Sequence, residues 1–451
     1  MTILAVDIGT TGMKMGIFRN EGGSLQPLRQ YSQTYEINVY NNGLFGDIEP
    51  EKWQQAFIAG CRSFGELNAG VEVLSLSGTT PGLTAMDAEG RALLPAILML
   101  DQRSQRQAQR IIDTVGLDTL LARTGNMPVA GGCSLAGILW IQEHLPDLFR
   151  KTCIFGHSNT FMAAWLTGAF AIDPSSASLT ALYNTAANDL TWNSEIAGAF
   201  GLPLDRLPRL IRSWESVSPV REPLARDLGF RKMPTVVVGG NDAVLAAYSA
   251  GIATPGDVIN VNGTCEISLV CLPRCIPSTG YNVRVHVVPE RWLTLYVMNA
   301  GGKALEWFHR TFCRELETED FHRRFIPEAL GPWIERDTPV TYVPFLMGSR
   351  YANERLTAAF TGLTQETTRE ELLAALIKGL CLYQAEHLRQ IGTAVALQPR
   401  IYVTGGAVSG AILAAKARWM RNCEYVCREE SSLRGAAMLG AVHLAGGTAD
   451  R

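Results

Sequence analysis

Two aspartates stand where chemistry could be done. Asp7 is the last-but-one residue of the apolar run Ile3-Leu4-Ala5-Val6-Asp7-Ile8, and Gly9-Thr10-Thr11-Gly12 follows it. A carboxylate in such a run is costly unless it is satisfied or functional. Two readings stand. It is a turn aspartate bonding the Thr10 or Thr11 amides, or it sits beside a phosphate-binding turn. In the second case backbone N–H groups and Thr hydroxyls donate to phosphate oxygens, and the carboxylate holds hydrated Mg2+. Asp242 follows Thr235-Val236-Val237-Val238 and then Gly239-Gly240-Asn241. It lies at the carboxyl end of a buried strand and at the start of a helix, where open α/β sheets place their ligands. The bland alternative for Asp242 is a helix N-cap.

These residues must be held by elements, and the pattern of elements repeats. Ile3–Ile8, a Gly-Thr turn and Met13–Phe18 read as a hairpin. Asp257–Asn262, Gly263-Thr264 and Cys265–Val270 read as a second one, which implies two copies of one architecture. Thr254-Pro255-Gly256 breaks the helix after Asp242 and sets the expected domain boundary, with domains at 1–254 and 255–451. Downstream, a helix spans about Arg369–Gln390. The strand Arg400–Thr404 runs into Gly405-Gly406, and a helix follows from about Ser409 to Met420. Strand, Gly-Gly, helix is a nucleotide-facing corner in α/β proteins, where glycine lets flat groups approach the backbone. Ser431–Ala445 is a helix of small residues suited to close packing. Strands alternating with helices in both halves give the α/β class.

Composition agrees with a globular enzyme. The chain has 451 residues, 47% hydrophobic and 18% charged, enough to bury a large core. Net charge is −3 with no long run of one sign, which argues against a nucleic-acid grip or a polybasic membrane patch. Thr152–Ile172 is uncharged apart from His157, but it carries Ser158, Asn159 and Thr160 and makes a poor bilayer span. No basic n-region precedes an apolar stretch at the N-terminus, so a cytoplasmic location is expected. The ten cysteines lack zinc spacing. Walker A, G-x-G-x-x-G, G-x-S-x-G and H-E-x-x-H patterns are absent.

In order along nearly the whole chain, the segments resemble the FGGY family of carbohydrate kinases. DIGTTGMKMGIF (Asp7–Phe18) is similar to the family's first phosphate motif, and Ser77–Ser104 to its sugar-side segment. VVVGGNDAVLAA is similar to the block with the catalytic Asp, and VNGTCEISL to the second phosphate hairpin. AGGKALEWF, the segment Phe360–Leu380, VTGGAVSG and the last helix complete the match. The resemblance implies two ribonuclease-H-like domains of the actin/hexokinase/Hsp70-like architecture flanking a cleft, with sugar mainly on the first and ATP on the second. It implies a small-molecule sugar substrate, ATP and Mg2+, and a homodimer.

Carried over residue by residue, the resemblance makes Asp242 the general base and Asp7 a Mg2+-side carboxylate, with Asp242 also near the metal. Thr10, Thr11, Gly263 and Thr264 would contact phosphates, with Lys14 as an extra charge. Gly302, Glu306, Gly405, Gly406 and Gly410 would line the adenosine site. Thr79, Thr80, Asp101, Arg103 and Asn241 would meet the substrate. The closest look is to xylulokinases, which carry Met-His where this chain has Thr80-Pro81, and an Asn where it has Ala243. Their Trp in the Asp101 segment is Met99 here. Pro81 has no side-chain donor, which disfavours xylulose. Ketoses, polyols and aldonates stay open, and Thr79, Thr80 and Asn241 could read a carboxylate together with Arg103. A non-catalytic sugar-binding regulator of the same fold is the alternative function.

Overall fold

The computed structural model describes residues 1–349, 351 and 356–449. Contacts divide the chain into two units. The first takes Met1–Ala253, Pro273–Leu293 and the chain from Glu430 onward; the second takes Thr254–Leu272 and Thr294–Glu429. The chain therefore changes unit beside Thr254, but it also returns to the first unit twice. The expected halves at 1–254 and 255–451 do not contain those returns. Ser432–Leu444, the helix of small residues, belongs with the first unit.

The first unit is built on a six-stranded sheet. Its order is Ser216–Pro219, Thr235–Asn241, Val73–Gly78, Thr2–Ile8, Gly12–Glu21 and Ser24–Thr34. Thr2–Ile8 and Gly12–Glu21 form the expected hairpin, with Asp7 opposite Lys14. Val73–Gly78 lies parallel to Thr2–Ile8, and Thr235–Asn241 parallel to Val73–Gly78. These central strands are buried almost throughout, because helices cover the sheet. One such helix is Ser432–Leu444. A Cβ at Gly435 would stand 2.2 Å from the Leu245 carbonyl, and one at Gly440 would stand 2.8 Å from Ile3, so glycine permits the close approach.

The second unit repeats the plan. Val258–Asn262 and Glu266–Leu272 form an antiparallel hairpin, Arg400–Thr404 pairs parallel with Val258–Asn262, and Glu424–Cys427 pairs parallel with Arg400–Thr404. The long helix runs Arg369–Gly392 and the corner helix Gly410–Trp419, each close to its expected span. Among the described residues no helix is long and apolar enough to cross a membrane.

Candidate active site

Asp7 is 7% exposed. Its Oδ1 accepts the Ser77 hydroxyl at 2.7 Å and its Oδ2 accepts the Ser432 hydroxyl at 2.7 Å. Neighbouring parallel pairing places Ser77 beside Asp7, and the returning C-terminal helix supplies Ser432. Its carboxylate thus bonds the Ser77 and Ser432 hydroxyls, where the turn reading expected the Thr10 or Thr11 amides. The turn is closed instead by the Gly9 amide donating to the Gly12 carbonyl at 2.9 Å. The Tyr35 hydroxyl donates to the Gly9 carbonyl at 2.6 Å. Thr10 and Thr79 share a hydroxyl–hydroxyl bond at 3.2 Å, which ties the hairpin turn to the sugar-side segment. Thr11 and Lys14 face solvent.

Asp242 is the first residue of the helix Asp242–Ser249, and it is not the cap. Asn241 takes that role, its Oδ1 accepting the Val244 amide at 3.2 Å. The aspartate is thereby released from satisfying the helix end. Its Oδ1 accepts from Asn241 Nδ2 and from the Ala243 amide, each at 2.7 Å. Both bonds fall on one oxygen, which leaves the lone pairs of Oδ2 for a ligand. Burial pushes the carboxyl up to about 6, and the Asp7 charge adds to this. Arg284, the Ala243 amide and Asn241 oppose it.

A bulge aims this strand end. Pairing of Thr235–Asn241 with Val73–Gly78 slips between Val237 and Gly240, where Gly239 adopts φ +69°. A Cβ there would fall 1.5 Å from the Leu76 carbonyl, so only glycine fits. Behind the bulge the Asn241 amide donates to Ser175 Oγ at 2.9 Å, and Ser175 is held in turn by the buried Asp173.

A third carboxylate, Glu430, is raised by burial and by Asp7, with Lys14 opposing. The charge of Asp7 thus acts on both Asp242 and Glu430, disfavouring the ionised form of each. Asp7 and Asp242 each keep lone pairs that can accept from the waters of a hydrated cation. Among the described residues no three His, Cys, Asp or Glu side chains gather as a direct metal cage, so a cation here would be held through its waters by Asp7 and Asp242.

In the segment Ser77–Ser104, Thr80 is buried and its Oγ1 accepts from Asn241 Nδ2 at 2.9 Å. Thr79 is pinned through its backbone, its amide to the Ile8 carbonyl at 2.8 Å and its carbonyl to Ser158 Oγ at 3.1 Å. His157, at the start of the same helix as Ser158, is buried against the Ser134 hydroxyl at 2.7 Å.

Asp101 and Arg103 differ from expectation. Arg103 donates to both Asp101 and Asp47 at 2.8 Å and lies over the Phe45 ring at 4.3 Å. Asp101 also accepts the Gly46 amide at 2.7 Å. Two carboxylates already claim the guanidinium, and all three groups are nearly inaccessible. The cluster braces the segment after the sugar-side strand, and reading a carboxylate is not a role its geometry leaves to Arg103.

In the second unit, two turns meet the hairpin end Asn262-Gly263-Thr264. The Gly302 amide donates to the Gly263 carbonyl at 2.9 Å and the Lys303 amide to the Thr264 carbonyl at 3.2 Å. Gly405, at φ +108°, would carry a Cβ 2.2 Å from the Asn262 carbonyl. Gly406 and Gly410 meet nothing within 4 Å at that position, so their faces are open. Glu306 is exposed and paired with Lys303 at 2.7 Å. A small cavity of about 30 Å3 opens here, lined by Asn262, Gly302, Leu305, Ala407 and the buried pair Glu266–Lys416.

Several of these groups are not singled out by the sequence reading. Ser77 and Ser432 carry no signal, since a serine gains meaning only from its partner. Glu266 and Lys416 meet across 150 positions, a pairing that only the fold reveals. Arg284 did carry a signal. It is a lone charge in the apolar strand Asn282–Val285, the same anomaly that marks Asp7. It is 1% exposed and donates to Thr80 Oγ1 at 2.7 Å.

Comparison with known proteins bears directly on this arrangement. The chain is 26% identical over 454 residues to a xylulose kinase of Bacillus subtilis, covering 97% of this chain and 87% of that one. It is 27% identical over 384 residues to a xylulose kinase of Escherichia coli, covering 84% and 76%. Its fold superimposes on a solved kinase from Brucella ovis with a TM-score of 0.88, at 24% identity and with 100% and 92% of the two chains covered. The FGGY family of carbohydrate kinases matches through its N-terminal domain at residues 2–249 and its C-terminal domain at residues 258–444. With both halves matched in order, the chain belongs to the FGGY family of carbohydrate kinases, enzymes that transfer a phosphoryl group to a sugar.

Proposed function

We propose that this chain transfers the γ-phosphoryl group of ATP to one hydroxyl of a small sugar, with Asp242 as the general base. The observation that carries this reading is the hydrogen bonding of Asp242. Both of its bonds are taken on Oδ1, which fixes the carboxylate and leaves Oδ2 to accept the substrate hydroxyl's proton. A carboxyl raised by burial is a better proton acceptor than a solvated one, which suits that task.

Asp7 and Asp242 would hold hydrated Mg2+, which supplies charge neutralisation for the phosphates when bound. Thr10, Thr11, Gly263 and Thr264 would donate to phosphate oxygens from their amides and hydroxyls, and Lys14 adds a charge. The open faces of Gly406 and Gly410, with Gly302, Glu306 and Gly405, would take the adenosine. Thr79, Thr80 and Asn241 would meet the sugar, with Asp101 and Arg103 bracing the segment from below. Most of the remaining rate would come from alignment and electrostatics, as in other phosphoryl transfers. The relatives' xylulose is disfavoured here, because Pro81 offers no side-chain donor.

The test is sugar-dependent ADP release with Mg-ATP across ketoses, polyols and aldonates, run beside Asp242→Asn. Turnover on one sugar should fall by roughly 10²–10⁴-fold in the variant. Undiminished turnover in Asp242→Asn would remove the base from the scheme.

A further inference from the structure

A turn that binds phosphate must offer its amides and cover its carbonyls, because a carbonyl dipole aimed at an anion repels it. The first hairpin turn, Gly9–Gly12, has that polarity. Its Gly12 carbonyl accepts the Gly9 amide at 2.9 Å, and its Thr11 carbonyl accepts the Tyr35 amide at 3.1 Å. Its Gly9 carbonyl accepts the Tyr35 hydroxyl at 2.6 Å. Only the Thr10 carbonyl accepts from none of the described residues. Among the described residues nothing accepts from the Thr10 or Thr11 amide, and the Thr11 residue is exposed.

Tyr35 supplies two of these bonds, and the sequence places it to do so. It follows the strand Ser24–Thr34, whose pairing with Gly12–Glu21 ends with Thr34 opposite Gly12. The Tyr35 amide carries the ladder one residue further, to Thr11, and the side chain reaches Gly9. The ring packs against the core that contains Trp53. Burial first, and then the Asp7 charge, push the hydroxyl up from its ordinary value, with Trp53 opposing. The hydroxyl therefore keeps its proton and donates.

The second hairpin meets the same demand with backbone alone. There the Gly263 carbonyl accepts the Gly302 amide at 2.9 Å and the Thr264 carbonyl accepts the Lys303 amide at 3.2 Å. Both copies of the turn thus have their carbonyls covered. In the first copy one of the covering donors is a phenol, which a single substitution removes.

We propose that Tyr35 is a positioning residue for the phosphates of ATP, its hydroxyl holding the Gly9 carbonyl off the ligand so that the Thr10 and Thr11 amides meet it. This rests on the kinase reading above, in which Gly9–Gly12 is a phosphate turn. Tyr35→Phe keeps the ring and the backbone bond and removes that one donor. The Gly9 carbonyl then lacks its partner, and the loss falls on ligands that bring negative charge to the turn.

Calorimetry on the full chain with MgATP, MgADP and adenosine tests this without knowledge of the sugar. Tyr35→Phe should weaken MgATP by about three- to tenfold, the worth of one hydrogen bond, and leave adenosine unchanged. Para-aminophenylalanine at position 35 keeps a donor on the ring and should recover most of the loss. On a sugar that is turned over, KM for ATP should rise by the same factor while KM for the sugar holds. Unchanged MgATP affinity in Tyr35→Phe would overturn the inference. An equal loss for adenosine or for the sugar would do so too, since a loosened fold gives that result. Should Tyr35→Phe fail to fold, the para-amino variant carries the comparison, its weaker donor costing MgATP a smaller factor and adenosine nothing; equal effects on the two would overturn the inference. The two claims fail differently. A phosphate-dependent Tyr35 effect without phosphorylation of any sugar would keep the positioning role and sink the kinase reading. Sugar phosphorylation indifferent to Tyr35→Phe would do the reverse, and no MgATP binding by the unaltered chain would sink both.

Discussion

The Asp242 carboxyl is held up by burial first and by Asp7 second, and Arg284 pulls it down. Its ordinary carboxylate value is thereby moved to about 6. A general base works only when ionised, so activity is present above that value and is lost as the pH falls through it. With Asp242 as the proposed base, the expected profile of kcat/KM has an acid limb near pH 6, about two pH units above that of a solvated aspartate. A rate flat from pH 7 down to pH 5 would contradict the assignment. Among the site residues, the two aspartates were legible because a charge in an apolar strand is an anomaly that needs a cause. Arg284 shows the same anomaly in Val283-Arg284-Val285, yet no turn or glycine pair beside it drew it into a motif. Arg103 was legible as a charge but misread as a ligand group, since Asp47 lies far from it in sequence and meets it only in the fold.

At the scale of elements, the Asp242 carboxylate is aimed by a strand, a bulge and a cap. Gly239 makes the bulge, and Asn241 caps the helix so that Asp242 is free for a ligand. Replacing Gly239 by Ala forces a Cβ into the Leu76 carbonyl and a positive φ onto a residue that resists it. The combined cost should be about 2–4 kcal/mol. A urea titration should show it as a lower midpoint, and residual enzyme should turn over slowly because the base is misaimed. An unchanged midpoint would show that the strand end can straighten without loss. Both Gly-Thr hairpins, the long helix and the Gly-Gly corner were legible as elements, because turns and periodicity are local properties. Which of Asn241 and Asp242 caps the helix was not. Both are good capping residues, and the choice depends on Thr80 and Ser175, which hold Asn241 from elsewhere in the chain.

For the molecule as a whole, the first unit is closed by the end of the chain. The helix Ser432–Leu444 lies on the sheet, packs Gly435 against Leu245 and Gly440 against Ile3, and brings Ser432 to Asp7. A chain stopped after Glu429 should therefore fail in its first unit, although every residue removed lies at the far end of the sequence. Limited proteolysis should no longer leave a resistant fragment beginning at Met1, and Asp7 should lose its Ser432 partner. Survival of that fragment would show the helix to be dispensable.

The sequence by itself determined the class, the family, the repeated hairpins and the two candidate carboxylates, Asp7 and Asp242. Each of these is written in local pattern: an apolar run with one charge in it, a Gly-Thr turn, a glycine pair after a strand. Only the tertiary structure decided what those groups touch. Ser77, Ser432, Arg284 and the Glu266–Lys416 pair matter through partners as many as 425 positions away. So does the return of the chain to its first unit. Burial, hydrogen-bond polarity and the mutual field of charges are properties of neighbours in space, and the order of residues along the chain does not encode those neighbours one by one.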